Sequence, residues 1–414
     1  MLNRDDPSHL SRLPQNHLGG FMISLLLVII YIAFVSLGLP DSLLGAAWPI
    51  MQRQLDVPNF YAGIISMSIT DSTIISCLLS DRITKRLGAG LVTAVSTLMT
   101  AVALFGFSLA SSLPLLFFWS IPYGLGAGAI DAALNNYVAL HYSSRHMSWL
   151  HCFWGLGASI SPYIMAYYLT NSQNWNMGYR SVALIQILLT VVLFLTLPLW
   201  KRVAKKAGTD KSVDSTPPVS LRHALNIRGV KLILVTFFSY CAMEATAGLW
   251  ASSFLVQSRG VDAKTAAQFA SLFFLGITIG RFLTGFIADR VGNKRLVRYG
   301  NITVILGILL LSLPVKTNIL CLSGLVIIGL GGAPIFPAII HSTPQNFGKE
   351  NSQAIIGIQM ASAYTGFTFI PPLFGLISDY TSIGVFPLFL LLFGLLCLLM
   401  FEWAQKTISH SEKK

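Results

Sequence analysis

The sequence GFIADRVGNKR, from Gly285 to Arg295, joins two apolar runs and decides the fold of this chain. A related sequence, DRITKRLG at residues 81–88, also follows an apolar run. The leading aspartates of the two copies, Asp81 and Asp289, are 208 residues apart in a chain of 414 residues. Because this spacing is about half of the chain, it indicates an internal duplication and predicts two similar halves.

The composition is that of a membrane protein. Hydrophobic residues make up 54% of the chain and charged residues only 11%, whereas a soluble protein carries about a quarter charged residues. The net charge of +12 comes from basic residues in short loops, so we attribute it to topology and expect no nucleic-acid partner. The five cysteines lie in apolar stretches, which favours small core residues over disulfides or metal ligands.

Twelve apolar runs, most of them about 20 residues long, predict twelve membrane-spanning helices. In the first run, Gly38-Leu39-Pro40 predicts a kink. The predicted spans are 20–50, 60–80, 89–110, 114–140, 148–170, 179–199, 230–256, 266–288, 296–314, 318–341, 352–376 and 382–403.

Lys and Arg residues predict the orientation. With both termini in the cytoplasm, the inner segments hold 22 of the 28 Lys and Arg residues and the outer loops hold five. This is the distribution that the positive-inside rule requires. We therefore expect a multi-pass protein with both termini in the cytoplasm. We also expect a monomer, located in the plasma membrane or, in a bacterium, in the inner membrane. We expect no cleavable signal, because the first 18 residues are polar and the first apolar run is long enough to span.

The one long polar segment is KRVAKKAGTDKSVDSTPPVSLRHALNIRG, at residues 201–229. It divides the chain into an N-terminal six-helix half at 1–200 and a C-terminal six-helix half at 230–414. A linker whose basic residues orient the protein and meet anionic lipid explains its composition, and a regulatory site is the alternative.

The loop at 285–295 resembles the GxxxDRxGxKR signature of the major facilitator superfamily. The copy at 81–88 departs from it, because Cys77 replaces the leading glycine and the second glycine is displaced to Gly88. The resemblance implies an all-α membrane protein of twelve helices in two pseudo-symmetric halves, with transport rather than enzymatic activity. It also implies a cytoplasmic gate whose residues are Asp81, Arg82, Gly285, Asp289, Arg290 and Arg295.

Two stretches resemble the fucose-permease-like sugar:proton symporters of that superfamily. FVSLGLPDSLLGAAWP, at 34–49, has an acid where those proteins have an Asn-Asp pair, and GLGAGAIDAALNN, at 124–136, resembles their fourth helix. In the second stretch Asp131 replaces a glutamate, and Asn135 matches an asparagine. His151 falls where the family has a glutamine that binds sugar, so the resemblance implies that Asn135 and His151 contact substrate.

Asp131 and Asp41 are the candidates for cation coupling. A carboxyl group inside a spanning helix costs about 2.5–3.5 kcal/mol on insertion, so it needs a partner or a wet cavity. Gly124 and Gly128 share the helix face of Asp131, which predicts close contact with another helix rather than with lipid. A structural hydrogen bond for Asp131, or a helix cap at Asp41 after Pro40, are the alternatives.

Glu244, Tyr240, Trp154 and Gln359 are further substrate-binding candidates within the spans. Acidic and amide groups bind sugar hydroxyls, and aromatic rings stack on the apolar face of a sugar. The alternatives are a lipid-facing tryptophan and inter-helix hydrogen bonds for the amide; for His151 the alternative is helix packing.

Arg281 and Asp71 are charges expected in an intramembrane ion pair, because a buried guanidinium needs a carboxylate or several carbonyl groups. Glu244 is another partner open to Arg281. For Asp71, Ser68 and Ser72 are the neighbours that can satisfy the carboxylate, and a structural role and a coupling role remain open.

These observations favour a secondary transporter of a small polar solute, a sugar, by symport with a proton or sodium and by alternating access. A proton-coupled antiporter that exports amphipathic compounds is the alternative. No nucleophile–base pair or phosphate-binding loop indicates an enzyme, and nothing indicates a cofactor or a metal site. The expected partners are the solute, the coupling cation and the lipid bilayer.

Overall fold

The structure is a computed structural model that describes residues 17–58, 60–172, 174–206, 217–314 and 318–411. Within these ranges the chain forms α-helices and a short 3-10 helix at Ile383–Val385, and no β-strand occurs there. The helices are α1 (His17–Gly38), α2 (Leu43–Gln54), α3 (Tyr61–Leu87), α4 (Ala89–Leu109), α5 (Leu113–His141), α6 (Ser144–Ser172), α7 (Trp175–Leu195), α8 (Leu197–Lys206), α9 (Leu221–Asn226), α10 (Val230–Arg259), α11 (Ala263–Val291), α12 (Asn293–Ser312), α13 (Asn318–Gly332), α14 (Ile335–Phe347), α15 (Lys349–Tyr380) and α16 (Phe386–Ser411).

These helices form the twelve predicted spans. Eleven segments of the described chain are long and apolar enough to cross a membrane. The remaining span, the fifth in chain order, is α6. It is 29 residues long, and its two histidines and five serines lower its hydropathy. Two spans consist of two helices each, α1 with α2 and α13 with α14. α9 belongs to the predicted linker, and α8 runs from the end of the predicted sixth span into that linker.

Both divided spans break at a proline. The kink predicted in the first span is present, since α1 ends at Gly38 and α2 begins at Leu43. The break in the tenth span was not predicted from the sequence, which treats 318–341 as one helix. There Pro334 lies between α13 and α14 and has no N–H group to donate to the preceding turn.

The same helix pairings occur in both halves. In the first half α1 packs on α6, α3 and α4 pack on α5, and α4 packs on α7. In the second half α10 packs on α15, α11 and α12 pack on α13, and α12 packs on α16. The duplication that the two loop sequences indicate is therefore present in the three-dimensional packing.

Small residues on α5 allow α3 to approach closely. A Cβ atom on Gly124 would overlap the carbonyl group of Ile69, and one on Gly128 would overlap that of Thr73. The helix face that carries Asp131 therefore contacts another helix, as predicted, and does not face lipid.

The two halves meet along a seam formed by α3, α5 and α6 of the first half and α11, α14 and α15 of the second. We call the end of the molecule that carries the turns at 88, 142–143, 292 and 348 the basic face, because the basic loop residues lie there. From this face, cross-half hydrogen bonds extend inward to the one between Asp131 and Tyr364. These contacts close the basic face.

Candidate functional site

A cluster of four side chains occupies the seam midway along α5 and α15. Asp131 is 6% exposed and accepts two hydrogen bonds, from Asn135 Nδ2 at 2.8 Å and from the Tyr364 hydroxyl at 2.9 Å. His151 Nε2 lies 3.0 Å from Asn135 Oδ1. Tyr364 belongs to the second half, so the Asp131 cluster (Asp131, Asn135, His151 and Tyr364) joins the two halves.

The donors in this cluster are neutral. Asn135 presents its NH₂ group to Asp131, so its carbonyl oxygen faces His151, and Nε2 of that histidine carries the proton. Within the described residues, Asp131 forms no ion pair with Lys or Arg. Because no Lys or Arg side chain in the described part of the chain pairs with the Asp131 carboxylate, a cation can bind there without displacing a charged side chain.

Aromatic rings enclose the histidine. Phe34 and Phe336 meet the ring of His151 edge-on, with centroids 5.5 and 4.8 Å away. Because the two phenylalanines belong to opposite halves, the histidine also lies on the seam. A role in helix packing, one of the alternatives for His151, is consistent with these contacts.

In the second half, Glu244 forms an ion pair with Arg281. Arg281 Nη2 lies 3.6 Å from Glu244 Oε1, and both side chains are at least nine-tenths buried. Glu244 Oε2 and Arg281 Nε have no protein partner. Tyr240 lies one turn away on the same helix and is fully buried. We call these residues the Glu244 cluster (Tyr240, Glu244 and Arg281). The partner of Arg281 is thus Glu244, the other partner that the sequence analysis considered for it.

The prediction that Arg281 and Asp71 belong to one intramembrane ion pair is wrong. Asp71 is exposed, on a face of α3 that also carries the exposed side chains of Met67 and Ile75. The neighbouring serines do not bind it either, because Ser68 pairs with Ser120 and Ser72 donates to the Ser68 carbonyl. Packing of α3 on α5 through its serine and threonine face turns Asp71 away from the protein interior.

Asp41 lies at the break between α1 and α2. Its carboxylate accepts hydrogen bonds from the Trp154 indole at 2.9 Å and from the Tyr123 hydroxyl at 3.2 Å. Asp41 is exposed, whereas Asp131 is buried. The indole N–H group of Trp154 therefore points at Asp41, within the first half, and not at lipid.

Gln359 does not join either cluster. Its side chain is fully buried, and its Oε1 accepts a hydrogen bond from Thr343 at 3.0 Å. Thr343 belongs to α14, so the amide lies in the contact between two helices of the second half. This is the inter-helix alternative considered for Gln359.

The second-half copy of the loop signature contacts the first half directly. Asp289 pairs with the Arg145 guanidinium and also accepts the backbone N–H of that residue at 3.2 Å. Gly285 lies under the indole of Trp149, and a Cβ atom there would overlap the ring. Arg290 and Arg295 are exposed. A residue next to the aspartate on a helix faces another direction, which is why Arg290 does not pair with it.

The first-half copy contacts the linker instead. Asp81 is 3% exposed, accepts the backbone N–H of Val219 at 2.7 Å and pairs with Lys85 at 3.1 Å. Lys85 also donates to the Pro217 carbonyl at 3.2 Å, while Arg82 is exposed. The described end of the predicted linker is thus attached to the first half.

Sequence reasoning missed three residues at these sites. Tyr364 and Tyr123 donate to the two candidate acids, and Arg145 holds Asp289. Tyr364 stands among Ala361, Ala363 and Gly366 in its helix, and small neighbours around a polar aromatic residue are a signal that could have revealed it. The pairing of either tyrosine depends on tertiary contacts and has no local signal.

Twelve spans in two duplicated halves, with buried polar clusters at and beside the seam, define a polytopic membrane transporter. The chain belongs to the Major Facilitator Superfamily, whose family model matches residues 30–231 and 232–414. It is therefore a transporter and not an enzyme.

Known proteins similar to this chain include sugar transporters. Bypass of stop codon protein 6 of Saccharomyces cerevisiae is 22% identical, over 94% of this chain and 84% of the relative. The glucose/mannose transporter GlcP of Bacillus subtilis is 26% identical, over 52% of this chain and 53% of the relative. The proton:xylose symporter XylE has a similar fold, with a TM-score of 0.77 and 13% identity over 94% of this chain and 96% of XylE.

Proposed function

We propose that this transporter takes up a small polar solute, a sugar, by symport with a proton or sodium ion and by alternating access. The observation that carries the proposal is the placement of Asp131, which is buried on the seam and held by neutral donors from both halves. If the halves part, the carboxylate loses the Tyr364 hydroxyl. A bound cation lowers the cost of that loss, so cation binding and conformation become linked.

The choice of a sugar rests on the chemistry of the clusters and on the relatives. Carboxylate, amide, imidazole and indole groups near the seam suit a solute that both donates and accepts hydrogen bonds. Relatives carry names such as glucose/mannose transporter and putative glucose/galactose transporter. We assign cation coupling to Asp131 and Asp41, and solute contacts to Asn135, His151, Trp154, Tyr240 and Glu244.

The proposed cycle begins with the basic face closed. Solute and cation enter from the opposite face, past the exposed Asp41. Neutralisation of Asp131 weakens the bond with Tyr364, because a hydrogen bond to a charged acceptor is stronger than one to a neutral acceptor. The two halves then rock, the contacts between Arg145 and Asp289 separate, and solute and cation leave through the basic face.

We assign the basic face and both termini to the cytoplasm, in the plasma membrane. The excess of Lys and Arg in the segments at that face supports this orientation. The moving bodies in this proposal are the halves at 1–200 and 230–414, connected by the linker at 201–229, and one chain suffices for the cycle.

The test is solute uptake by proteoliposomes that contain the purified protein. Glucose, mannose, galactose, fucose and xylose are added singly, and the external pH is recorded with and without sodium. We expect one or more sugars to be taken up. Alkalinisation of the external medium without sodium identifies the proton as the coupling ion, and uptake that requires sodium without a pH change identifies sodium. If sugars produce no flux while lipophilic cations are expelled against a proton gradient, the exporter is the correct function.

A further inference from the structure

A set of hydrogen bonds joins the halves at the basic face, beside the ion pair of Arg145 with Asp289. His341, on α14, has Nε2 2.9 Å from the carbonyl oxygen of Tyr142 in the first half. Its Nδ1 lies 2.9 Å from Asn293 Nδ2. The set is completed by Ser144 of the first half, whose hydroxyl donates to Asn293 Oδ1 at 2.6 Å. His341 and Ser144 are both 7% exposed.

The partners fix the roles of the two ring nitrogens. A carbonyl oxygen only accepts, so Nε2 of His341 donates to Tyr142. Asn293 uses its oxygen for Ser144, so its NH₂ group faces Nδ1, which accepts. Tyr142 directly follows the last residue of α5 and Ser144 begins α6, and helix ends leave backbone groups without helical partners. His341 therefore satisfies the end of a helix in the opposite half.

A second buried hydrogen bond crosses the seam, and here the residue from a fourth span belongs to the first half. Asn136, on α5 of the first half, accepts a hydrogen bond at 2.6 Å from Ser352, at the start of α15. Beside it, Gln353 donates to the Ala132 carbonyl at 3.3 Å. Asn136 is 6% exposed and Ser352 is fully buried.

The two connections are related by the internal duplication. His341 lies eight residues before Lys349, the first residue of α15, and Asn136 lies eight residues before Ser144, the first residue of α6. Each half thus extends one polar side chain across the seam from the equivalent position near the basic end of its fourth span. Asn136 reaches Ser352, at the start of the fifth span of the second half, and His341 reaches the Tyr142 carbonyl, at the end of the fourth span of the first half. The partners differ, but a buried polar side chain crosses the seam from the same position in both halves, so we attribute the connections to the closed basic face as a whole.

We propose that His341 and Asn136 are a matched pair of gate residues that hold the basic face closed. Both sets of bonds cross the seam, so both must break when that face opens. Removal of the His341 side chain takes its partner from the Tyr142 carbonyl, and removal of the Asn136 side chain leaves Ser352 only its bond to the Lys349 carbonyl. Either change removes a buried hydrogen bond from the closed state only, which shifts the equilibrium towards the open state. The inference rests on the alternating access of the proposed function, but not on the solute or the coupling ion.

The experiment measures distances between spin labels in the purified protein, with its five native cysteines replaced by alanine. Labels at the exposed residues Leu87 and Tyr299 report on the basic face, and labels at Leu109 and Leu313 report on the opposite face. His341→Ala and Asn136→Ala are each expected to raise the ratio of open to closed basic face about tenfold, as the loss of one buried hydrogen bond does. The double variant is expected to open it further.

Two controls separate gating from general damage. Asn301→Ala removes a buried asparagine that bonds Val297 within its own helix, so it should leave the distance distribution unchanged. His341→Gln keeps a donor and an acceptor and should restore much of the closed population. Equal distributions for His341→Ala, Asn136→Ala and Asn301→Ala overturn the gate. If the wild-type distances stay fixed with every solute and ion, alternating access itself fails, which is a separate result.

Discussion

Each half of the transporter buries an acid, but the two halves neutralise it differently. Asp131 is held by an amide of its own half and by a hydroxyl of the other half. Glu244 is held by the guanidinium of Arg281, within its own half. A carboxylate beside a guanidinium has its counter-ion in every state, whereas the cost of ionising Asp131 depends on how the halves are arranged. The comparison supports our proposal that Asp131 binds the coupling cation and that Glu244 belongs to a fixed pair.

The largest effect is expected from Asp131→Asn, which removes the charge and keeps the size. Accumulation of solute against its gradient should fall to the level measured without an ion gradient, because the variant lacks the one candidate coupling carboxylate that is bonded across the seam. Exchange of labelled for unlabelled solute should persist and should lose its pH dependence. Uptake by proteoliposomes with and without an imposed gradient measures both. Gradient-driven accumulation at the wild-type level would show that Asp131 is structural.

Arg281→Gln tests the fixed pair. Loss of the guanidinium leaves Glu244 as an uncompensated buried charge, and breaking a buried pair in this way costs roughly 3–5 kcal/mol of the free energy of unfolding. The double variant Arg281→Gln/Glu244→Gln should recover most of that loss, because no bare charge remains. Denaturant unfolding in detergent measures the difference. A double variant as unstable as the single one would contradict the argument.

The matched control for this pair is Arg298→Gln. Arg298 forms a two-pronged ion pair with Glu402, with both distances at 2.6 Å, but the two side chains are 38% and 30% exposed. Water compensates a partly exposed charge, so the expected loss is below about 1 kcal/mol. A loss as large as that of Arg281→Gln would show that burial does not decide the difference.

Tyr364→Phe tests the bond across the seam. The substitution keeps the ring and removes the hydroxyl that Asp131 accepts, which weakens the link between the state of the carboxylate and the position of the halves. We expect gradient-driven accumulation to fall about tenfold, corresponding to about 1.4 kcal/mol, while exchange continues. Tyr123→Phe removes a donor to Asp41 within one half and should have a smaller effect on the ratio of accumulation to exchange. The reverse order would place the coupling at Asp41.

The smallest effect is expected from Asp71→Asn. Asp71 is exposed and forms no ion pair within the described residues, so its substitution should change the free energy of unfolding by less than about 0.5 kcal/mol. Accumulation should remain at the wild-type level. A loss of accumulation comparable to that of Asp131→Asn would give this acid a role that its position does not suggest.

The fold could be predicted from the sequence because its signals are local and repeated. Span length, the proline after Gly38 and the spacing of Asp81 and Asp289 each act through the chain itself. The division between α13 and α14 was missed although Gly332-Ala333-Pro334 resembles Gly38-Leu39-Pro40, because it lies inside an otherwise unbroken apolar run. Such a run is consistent with one helix or with two.

The site was harder to predict because its partners come from different helices. A buried acid is conspicuous in a sequence, and the family resemblance singled out Asn135 and His151, which the structure places in the same cluster as Asp131. The donor Tyr364 lies 233 residues from Asp131 and carries no charge to mark it. Asp71 also lies within an apolar run, and the sequence left its role open between structure and coupling; the structure places it on an exposed face of α3, whereas Asp131 is buried on the seam.

The bond between Asp81 and the backbone of Val219 limits how freely the connection between the halves can move. While it holds, the tether that spans from one body to the other is not the whole stretch at 201–229 but the ten residues at 220–229. Six of these are coiled into α9, and Gly229, with a φ of 87°, turns the chain directly into α10. Little slack remains, so the second half can pivot about Gly229 but cannot drift away from the first.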